Sequence, residues 1–532
     1  MRGLIRKRIL FVIVGLVIIG LLASLIVILL SKDSSSRLSP EIREIMDSPE
    51  FAHATWGLLV VDLETGQQVY ESLNPGLMFD PASTTKLFTV AAAMDVLGKD
   101  CQFQTPVYRR GQVDASGQLD GDLILLASGD LTMGGRRTPD GQHIEYTDYD
   151  HNDANALGIG VLTQADPLAG LDGLAQQVLN SGIQVVKGDV IIDDRLFGPG
   201  ESVDPGEHYI ITPMVINDNL IDLSITATQP GSVAQIQWRP QTAAYTVVNQ
   251  VTTASQGEET SIEIESPSPG KILLKGQVTA GATDVVRTYQ VEDPASFART
   301  LFIEALKRAG VTVNASELGR NPSHNLPHPS DYATMQQVAR LESLPFSEYA
   351  KLILKVSHSL GADTLLYLMA VQQGGKTMTE GLQAELAFLR SAGVDLAGVV
   401  LRDGQGASGS NYICPQAVIQ LLHYMSTRND FQAYRNALPI MGVDGSLAHL
   451  VGRDSPIRGK VLAKTGTHVS LDEANSRILL ISRALGGYLT TSSGRDLIFA
   501  LYLNNVSVTS MEECMAALNK HASILNIIYQ KY

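Results

Sequence analysis

Ser83-Thr84-Thr85-Lys86 sets a hydroxyl and an amine three residues apart. On a helix that spacing puts both side chains on one face as near neighbours. A serine hydroxyl is a weak nucleophile until a base takes its proton, and a lysine does this when burial or a neighbouring cation favours its neutral form. A second candidate is Lys464-Thr465-Gly466-Thr467, at the end of the strand-like run VLAKTGT, where glycine lets a ligand's backbone come close. A third, Ser357-His358-Ser359, interrupts the otherwise apolar, helix-like segment KLILKVSHSLGADTLLYLMA. Each has a plain structural alternative: a helix N-terminus for the first, a turn for the second, and two serines capping the following helix for the third.

The surrounding patterns say what must position these groups. After Pro81 the run ASTTKLFTVAAAMDVLG is rich in helix formers and stops at Gly98, which sets Ser83 in the first turn of a helix. Upstream, WGLLVVDLETGQQVYESL alternates around Thr65-Gly66 and predicts a hairpin. Between about 105 and 330, short β-branched runs such as GDLILLASGD and GDVIIDDRLF are broken by glycine and proline, which predicts a largely sheet-forming insertion. Helical patterns follow at 295–309, 348–371, 381–392 and 414–426, strands at 460–467 and 496–503, and a last helix at 511–528. No fixed-period repeat is present, which excludes solenoids and propellers.

Bulk properties narrow the function. At 532 residues and 44% hydrophobic content the chain exceeds one ordinary core. A net charge of −15 makes nucleic-acid binding a poor fit. Cys101, Cys414 and Cys514 lie far apart, which excludes a disulfide-dense scaffold and any Cys-x-x-Cys motif and leaves room for at most one bridge. Residues 9–30 are an uncharged apolar run of 22 residues behind Arg2, Arg6, Lys7 and Arg8. At about 1.5 Å per residue such a helix spans roughly 33 Å, enough to cross a bilayer, with the basic end cytoplasmic. A cleaved signal peptide would have a shorter apolar region and a small-residue cleavage site, which Ser31-Lys32-Asp33 does not supply. The expectation is therefore a basic cytoplasmic tail (1–8), a single-pass anchor (9–30), a polar linker (31–40) and an extracytoplasmic remainder.

Metal and cofactor readings find no support. His324 and His328 flank a proline-rich loop and read as surface residues. Asp148, Asp150 and Asp153 suggest a calcium loop, but the sixth-position glycine is missing and Ile159 stands where the bidentate glutamate belongs, so the segment reads as a solvated acidic loop. Gly404-Gln405-Gly406 lacks the third glycine and the strand-to-helix context of a dinucleotide site.

The order Ser-x-x-Lys, Ser-x-Ser, Lys-Thr-Gly along one chain resembles that of penicillin-binding proteins and serine β-lactamases. The gap of about 270 residues between the first two motifs resembles the class C low-molecular-mass D-alanyl-D-alanine carboxypeptidases, in which extra domains fill it. The segments ASGDLTM, ITPMVINDNLIDL, DGQGASGSN and LPIMGVDGSL look like the same class. The resemblance implies an α/β (α+β) transpeptidase-like, serine β-lactamase-like domain, an antiparallel sheet flanked by helices, built from 41–104 plus 335–532. A mainly β insertion at 105–334 would interrupt it. It further implies that Ser83 attacks the bond between two D-alanines of peptidoglycan stem peptides, with Lys86 as base. Ser357 and Lys464 would relay a proton to the leaving amine, and backbone N–H groups of Ser83 and Thr467 would form the oxyanion hole. Thr465 and Thr467 would hold the terminal carboxylate beside Gly466, and β-lactams would be covalent inhibitors. Ser359 stands where the family usually has asparagine, which implies a slower enzyme or a changed substrate preference. Two other functions share these motifs: an endopeptidase acting on cross-linked peptides, and a non-catalytic homologue that binds β-lactams or cell wall.

Overall fold

The structure, a computed structural model, describes residues 38–70, 72–204 and 207–532. The predicted tail and anchor lie outside these residues. Among the described residues no helix is long and apolar enough to cross a membrane. Ser39, at the end of the expected linker, caps the helix Pro40–Met46 by accepting the Ile42 N–H.

Four strands make the sheet that carries the third motif: β1 (Thr55–Asp62), β2 (Val461–Asp472), β3 (Arg477–Thr490) and β4 (Asp496–Val508), in the order β1-β4-β3-β2 and antiparallel throughout. Its sequences alternate with the two-residue period of a sheet covered on both faces. Leu497, Phe499, Leu501 and Leu503 of β4 pack on one side with Ile524, Leu525 and Ile528, while Ile498, Ala500 and Tyr502 pack on the other with Leu87 and Phe88. The first side is covered by α4 (Met511–Lys531) and the second by the helix Pro415–Ser426 and the head of α1 (Lys86–Val96), on which α2 (Phe346–Lys355) and α3 (Ser359–Gln372) pack in turn. α1 is buried from Lys86 through Met94, because its Ala-rich surface lets neighbours close around every side.

The expected hairpin is half formed. β1 is a full strand, but its second arm touches it only through isolated bridges, Leu58 with Leu73 and Val61 with Gln68. β1 instead pairs along its whole length with β4, because a hydrophobic strand buries more by joining a sheet than by folding on its own turn. The strand predicted at 460–467 extends to Asp472, and β3 falls in a stretch that the sequence reading left unassigned.

The strands Gln104–Val113 and Gln336–Glu342 pair antiparallel and bracket the residues between them. Beyond them lie Gln118–Leu126, further small sheets, and two helices, Ala169–Asn180 and Pro294–Arg308, packed on the main inserted sheet through Leu171, Leu174, Val178, Leu301 and Leu306. This part of the chain is thus a mixture of sheet and helix. Its first helix escapes the sequence pattern because AGLDGLAQQVLN carries two glycines.

Candidate active site

The nucleophile motif sits on a short 3-10 turn, Ala82–Thr85, that runs directly into α1. Ala82 takes a left-handed φ of 43°, which is costly for a residue with a side chain. Asp80 holds it there by accepting the Ala82 N–H at 2.8 Å, and Gly406 packs so closely that a Cβ on it would meet the Ala82 carbonyl at 1.9 Å. This turn presents Ser83 half-buried at the head of a buried helix, with Lys86 completely enclosed below it. Lys86 Nζ lies 2.8 Å from Ser83 Oγ, 3.3 Å from Ser359 Oγ and 3.0 Å from the Gln405 carbonyl.

The middle motif occupies a break. The pattern expected as one helix at 348–371 is two, α2 and α3, separated at Val356–His358, where Ser357 adopts φ 64°. The cap of α3 is neither serine. His358 caps it, its Nδ1 accepting the Gly361 N–H at 3.0 Å, and a Cβ on Gly361 would lie 2.6 Å from that nitrogen. With the imidazole as cap, both hydroxyls turn to the lysines: Ser359 to Lys86, Ser357 to Lys464 at 3.0 Å.

The third motif lies on the edge strand β2, beside the nucleophile turn. A Cβ on Gly466 would sit 2.4 Å from the Pro81 carbonyl and 3.1 Å from the Ser83 nitrogen, so only glycine allows this approach. Lys464 is fully buried and donates to Ser357 Oγ and to the Thr465 carbonyl at 2.8 Å. Burial, then the nearby Lys86 charge, holds its amine well below the ordinary lysine range, against the opposing pull of Asp153. Thr465 Oγ1 lies 2.9 Å from Ser446 Oγ, and exposed Thr467 accepts from Arg483 at 2.8 Å. The Arg483 guanidinium is itself enclosed, and burial brings it down to about 10. All eight predicted residues therefore converge on one place.

Several contributors escaped the sequence reading. Gln405 holds Lys86 through its carbonyl, and its side chain donates to Asp363 at 3.0 Å. Asp363 on α3 is buried; its environment, with Asp403 adjacent, pushes its carboxyl up to about 7, and Glu385, also buried, rises to about 8. Arg483 comes from β3, and only strand register sets it opposite Thr467. The segment expected to be a solvated acidic loop is part of the site wall. Asp150 is 2% exposed and pairs with Arg136 at 2.7 Å, Asp148 accepts the Gly445 N–H at 2.8 Å, and Asp153 acts on Lys464. The acids point inward because buried cations await them. Arg136 occupies the centre of the Asp150–His151–Asp218 group, donating to Asp150 and Asp218 and lying 2.7 Å from His151, so this cluster, the one with ligand geometry for a metal among the described residues, already holds a cation. The three cysteines are free thiols.

A serine hydroxyl in contact with an enclosed amine, a second amine bonded to a second serine, and an open strand edge alongside form the apparatus of serine acyl transfer. The sequence profile of the D-Ala-D-Ala carboxypeptidase 3 (S13) family matches residues 38–525, and the chain belongs to that family. Among similar proteins, a D-alanyl-D-alanine carboxypeptidase of an Actinomadura species is 28% identical over 89% of this chain and 83% of its own length. The D-alanyl-D-alanine carboxypeptidase DacB of Haemophilus influenzae is 24% identical over 84% of each chain. The crystal structure of penicillin-binding protein 4 from Haemophilus influenzae superposes with a TM-score of 0.69 at 20% identity, covering 92% of this chain and all of that one, and a second structure of it contains a β-lactam. The protein is accordingly a serine-type D-alanyl-D-alanine carboxypeptidase, with the mixed α/β fold that the resemblance implied.

Proposed function

We propose that Ser83 is the nucleophile of this carboxypeptidase and that the seven other motif residues divide the remaining work. Lys86 takes the Ser83 proton as Oγ attacks the carbonyl between two D-alanines. The oxyanion forms between the Ser83 and Thr467 N–H groups, brought together by the missing side chain of Gly466. Ser357, bonded to Lys464, passes a proton to the amine as the C–N bond breaks and D-alanine leaves; water then cleaves the ester on Ser83. The terminal carboxylate lies against the Thr465 and Thr467 hydroxyls, and Arg483 behind Thr467 adds positive potential. Ser359 supplies one contact expected of the usual asparagine, the one to Lys86. The observation that carries this reading is the pair of serine–lysine contacts, 2.8 Å at Ser83 and 3.0 Å at Ser357, held by elements from three distant parts of the chain.

We read 41–104 plus 335–532 as the catalytic body and 105–334 as its insertion, and 9–30 as a membrane anchor, on the strength of its hydropathy. Full-length protein should then sediment with membranes, and a chain lacking residues 1–37 should not. β-Lactams, which are bound by the Haemophilus influenzae relative, should acylate Ser83. The test is labelling of wild type and Ser83→Ala with a fluorescent penicillin, followed by D-alanine release from a muramyl pentapeptide. Label that vanishes in the variant, with D-alanine released, is the expected result. Label without release, accompanied by cleavage of a cross-linked dimer, would move the substrate to cross-links.

A further inference from the structure

Asn217, Asp218 and Asn219 take consecutive left-handed φ values of 50°, 54° and 55°. Such residues ordinarily occur singly, and a run of three persists only where its surroundings impose it. The turn aims one carboxylate oxygen, Asp218 Oδ2, into a buried site where three side-chain nitrogens from other segments converge. Arg136 lies at 2.8 Å, His151 at 2.7 Å and His358 at 3.1 Å. The first two belong to the insertion. The third is the centre of Ser357-His358-Ser359.

His358 has no latitude in this arrangement. Its Nδ1 accepts the Gly361 N–H, which leaves Nε2 as the nitrogen that faces Asp218 Oδ2, at 3.1 Å. The approach is short but bent away from a linear hydrogen bond. On either side of His358, Ser357 at φ 64° reaches Lys464 and Ser359 reaches Lys86. Arg136 and Asp150 neutralise each other, and His151 bridges Asp218 to Asp222 at 2.6 Å, so Asp218 is itself fixed by charges on all sides.

We propose that Asp218 is a positioning residue for catalysis: through His358 Nε2 it locks the strained Ser357-His358-Ser359 turn so that its two hydroxyls meet Lys464 and Lys86. The insertion thereby contributes directly to acylation. This inference rests on Ser83 acylation as proposed above.

The test compares second-order acylation by a fluorescent penicillin, and the Tm, across His358→Asn, Asp218→Ala, Asp218→Asn and the Asp218→Ala/His358→Asn double variant. Asparagine at 358 keeps a cap acceptor for Gly361 but is too short to reach Asp218. It should fold with a Tm near wild type and acylate about tenfold more slowly. Asp218→Ala should slow acylation similarly. Asp218→Asn, which retains an accepting oxygen, should restore most of the rate. The double variant should be no slower than His358→Asn alone. Wild-type acylation by His358→Asn, failed rescue by Asp218→Asn, or multiplied losses in the double variant would each overturn the inference. Should Asp218→Ala not fold, His358→Asn and Asp218→Asn still decide. An unlabelled wild type would instead sink the functional reading beneath it.

Discussion

Lys464 places an amine where water cannot reach it, beside another amine. Burial and Lys86 disfavour its charge, so its folded pKa is depressed. For a base with a depressed folded pKa, the unfolded chain binds protons more tightly, and stability rises with pH through the window between the two values. Lys464→Met, neutral and similar in length, should therefore raise the Tm at pH 7 while acylation collapses; a lowered Tm would show that the bonds to Ser357 and the Thr465 carbonyl outweigh desolvation. Ser359 offers a smaller effect. Its bond to Lys86 is 3.3 Å long and the amine keeps two other contacts, so Ser359→Ala should slow acylation by about tenfold, the equivalent of one weak charged hydrogen bond. Equal rates would give Ser359 no role. At this scale the sequence was legible wherever chemistry depends on local spacing. Ser83 and Lys86 advertise each other three residues apart, whereas Gln405 reaches Lys86 across 319 positions and nothing in DGQGASGSN signals which carbonyl is used.

Between elements, the decisive features are close approaches. β2 can lie against the nucleophile turn only because Gly466 has no Cβ, and α3 can be capped by His358 only because Gly361 has none. Gly466→Ala should push the strand edge off the Ser83 nitrogen and widen the oxyanion hole. Acylation should fall by about a hundredfold or more, in the range measured when one oxyanion donor is lost, and the Tm should fall with it, because the added Cβ meets the Pro81 backbone carbonyl. An alanine variant that acylates normally would place the oxyanion elsewhere. The sequence revealed β2, β4, α1 and α4 because their apolar periods are long and regular. It hid the α2–α3 break, since hydropathy runs on through 348–371 and the cap is a histidine, an uncommon N-cap residue. It also turned Asp150 outward, because a buried aspartate cannot be told from a solvated one until Arg136 is seen beside it.

Across the whole molecule, residues from 105–334 and from the rest of the chain meet in a shared core cluster. Leu131, Phe197, Tyr209 and Ile211 pack in the same cluster as Phe88, Leu365 and Tyr367, and Ser202 of the insertion donates to Asp363 at 2.5 Å. The texture of residues 105–330 signals many short strands but is silent on where they dock, since docking is set by groups on both sides. Within this shared interior lie two carboxyls that the protein keeps neutral by burial: Asp363, pushed to about 7, and Glu385, pushed to about 8. For acids raised in the folded state, the folded chain holds protons that the unfolded chain has released. Their contribution is complete below the unfolded values near 4 and is lost as pH climbs through about 7 and about 8. The contribution of these two acids should therefore decline from pH 5 to pH 9, opposite in sign to that of Lys464. Glu385 allows a clean test, because Thr89 donates to one of its oxygens and the other has no hydrogen-bond partner among the described residues. Glu385→Gln keeps the shape without the titration. Thermal melts of the two proteins should nearly coincide at pH 5 and separate at pH 9, with the glutamine variant melting higher; parallel curves at both pH values would mean that Glu385 ionises without cost, which its enclosure by α1 and the 378–391 helix forbids.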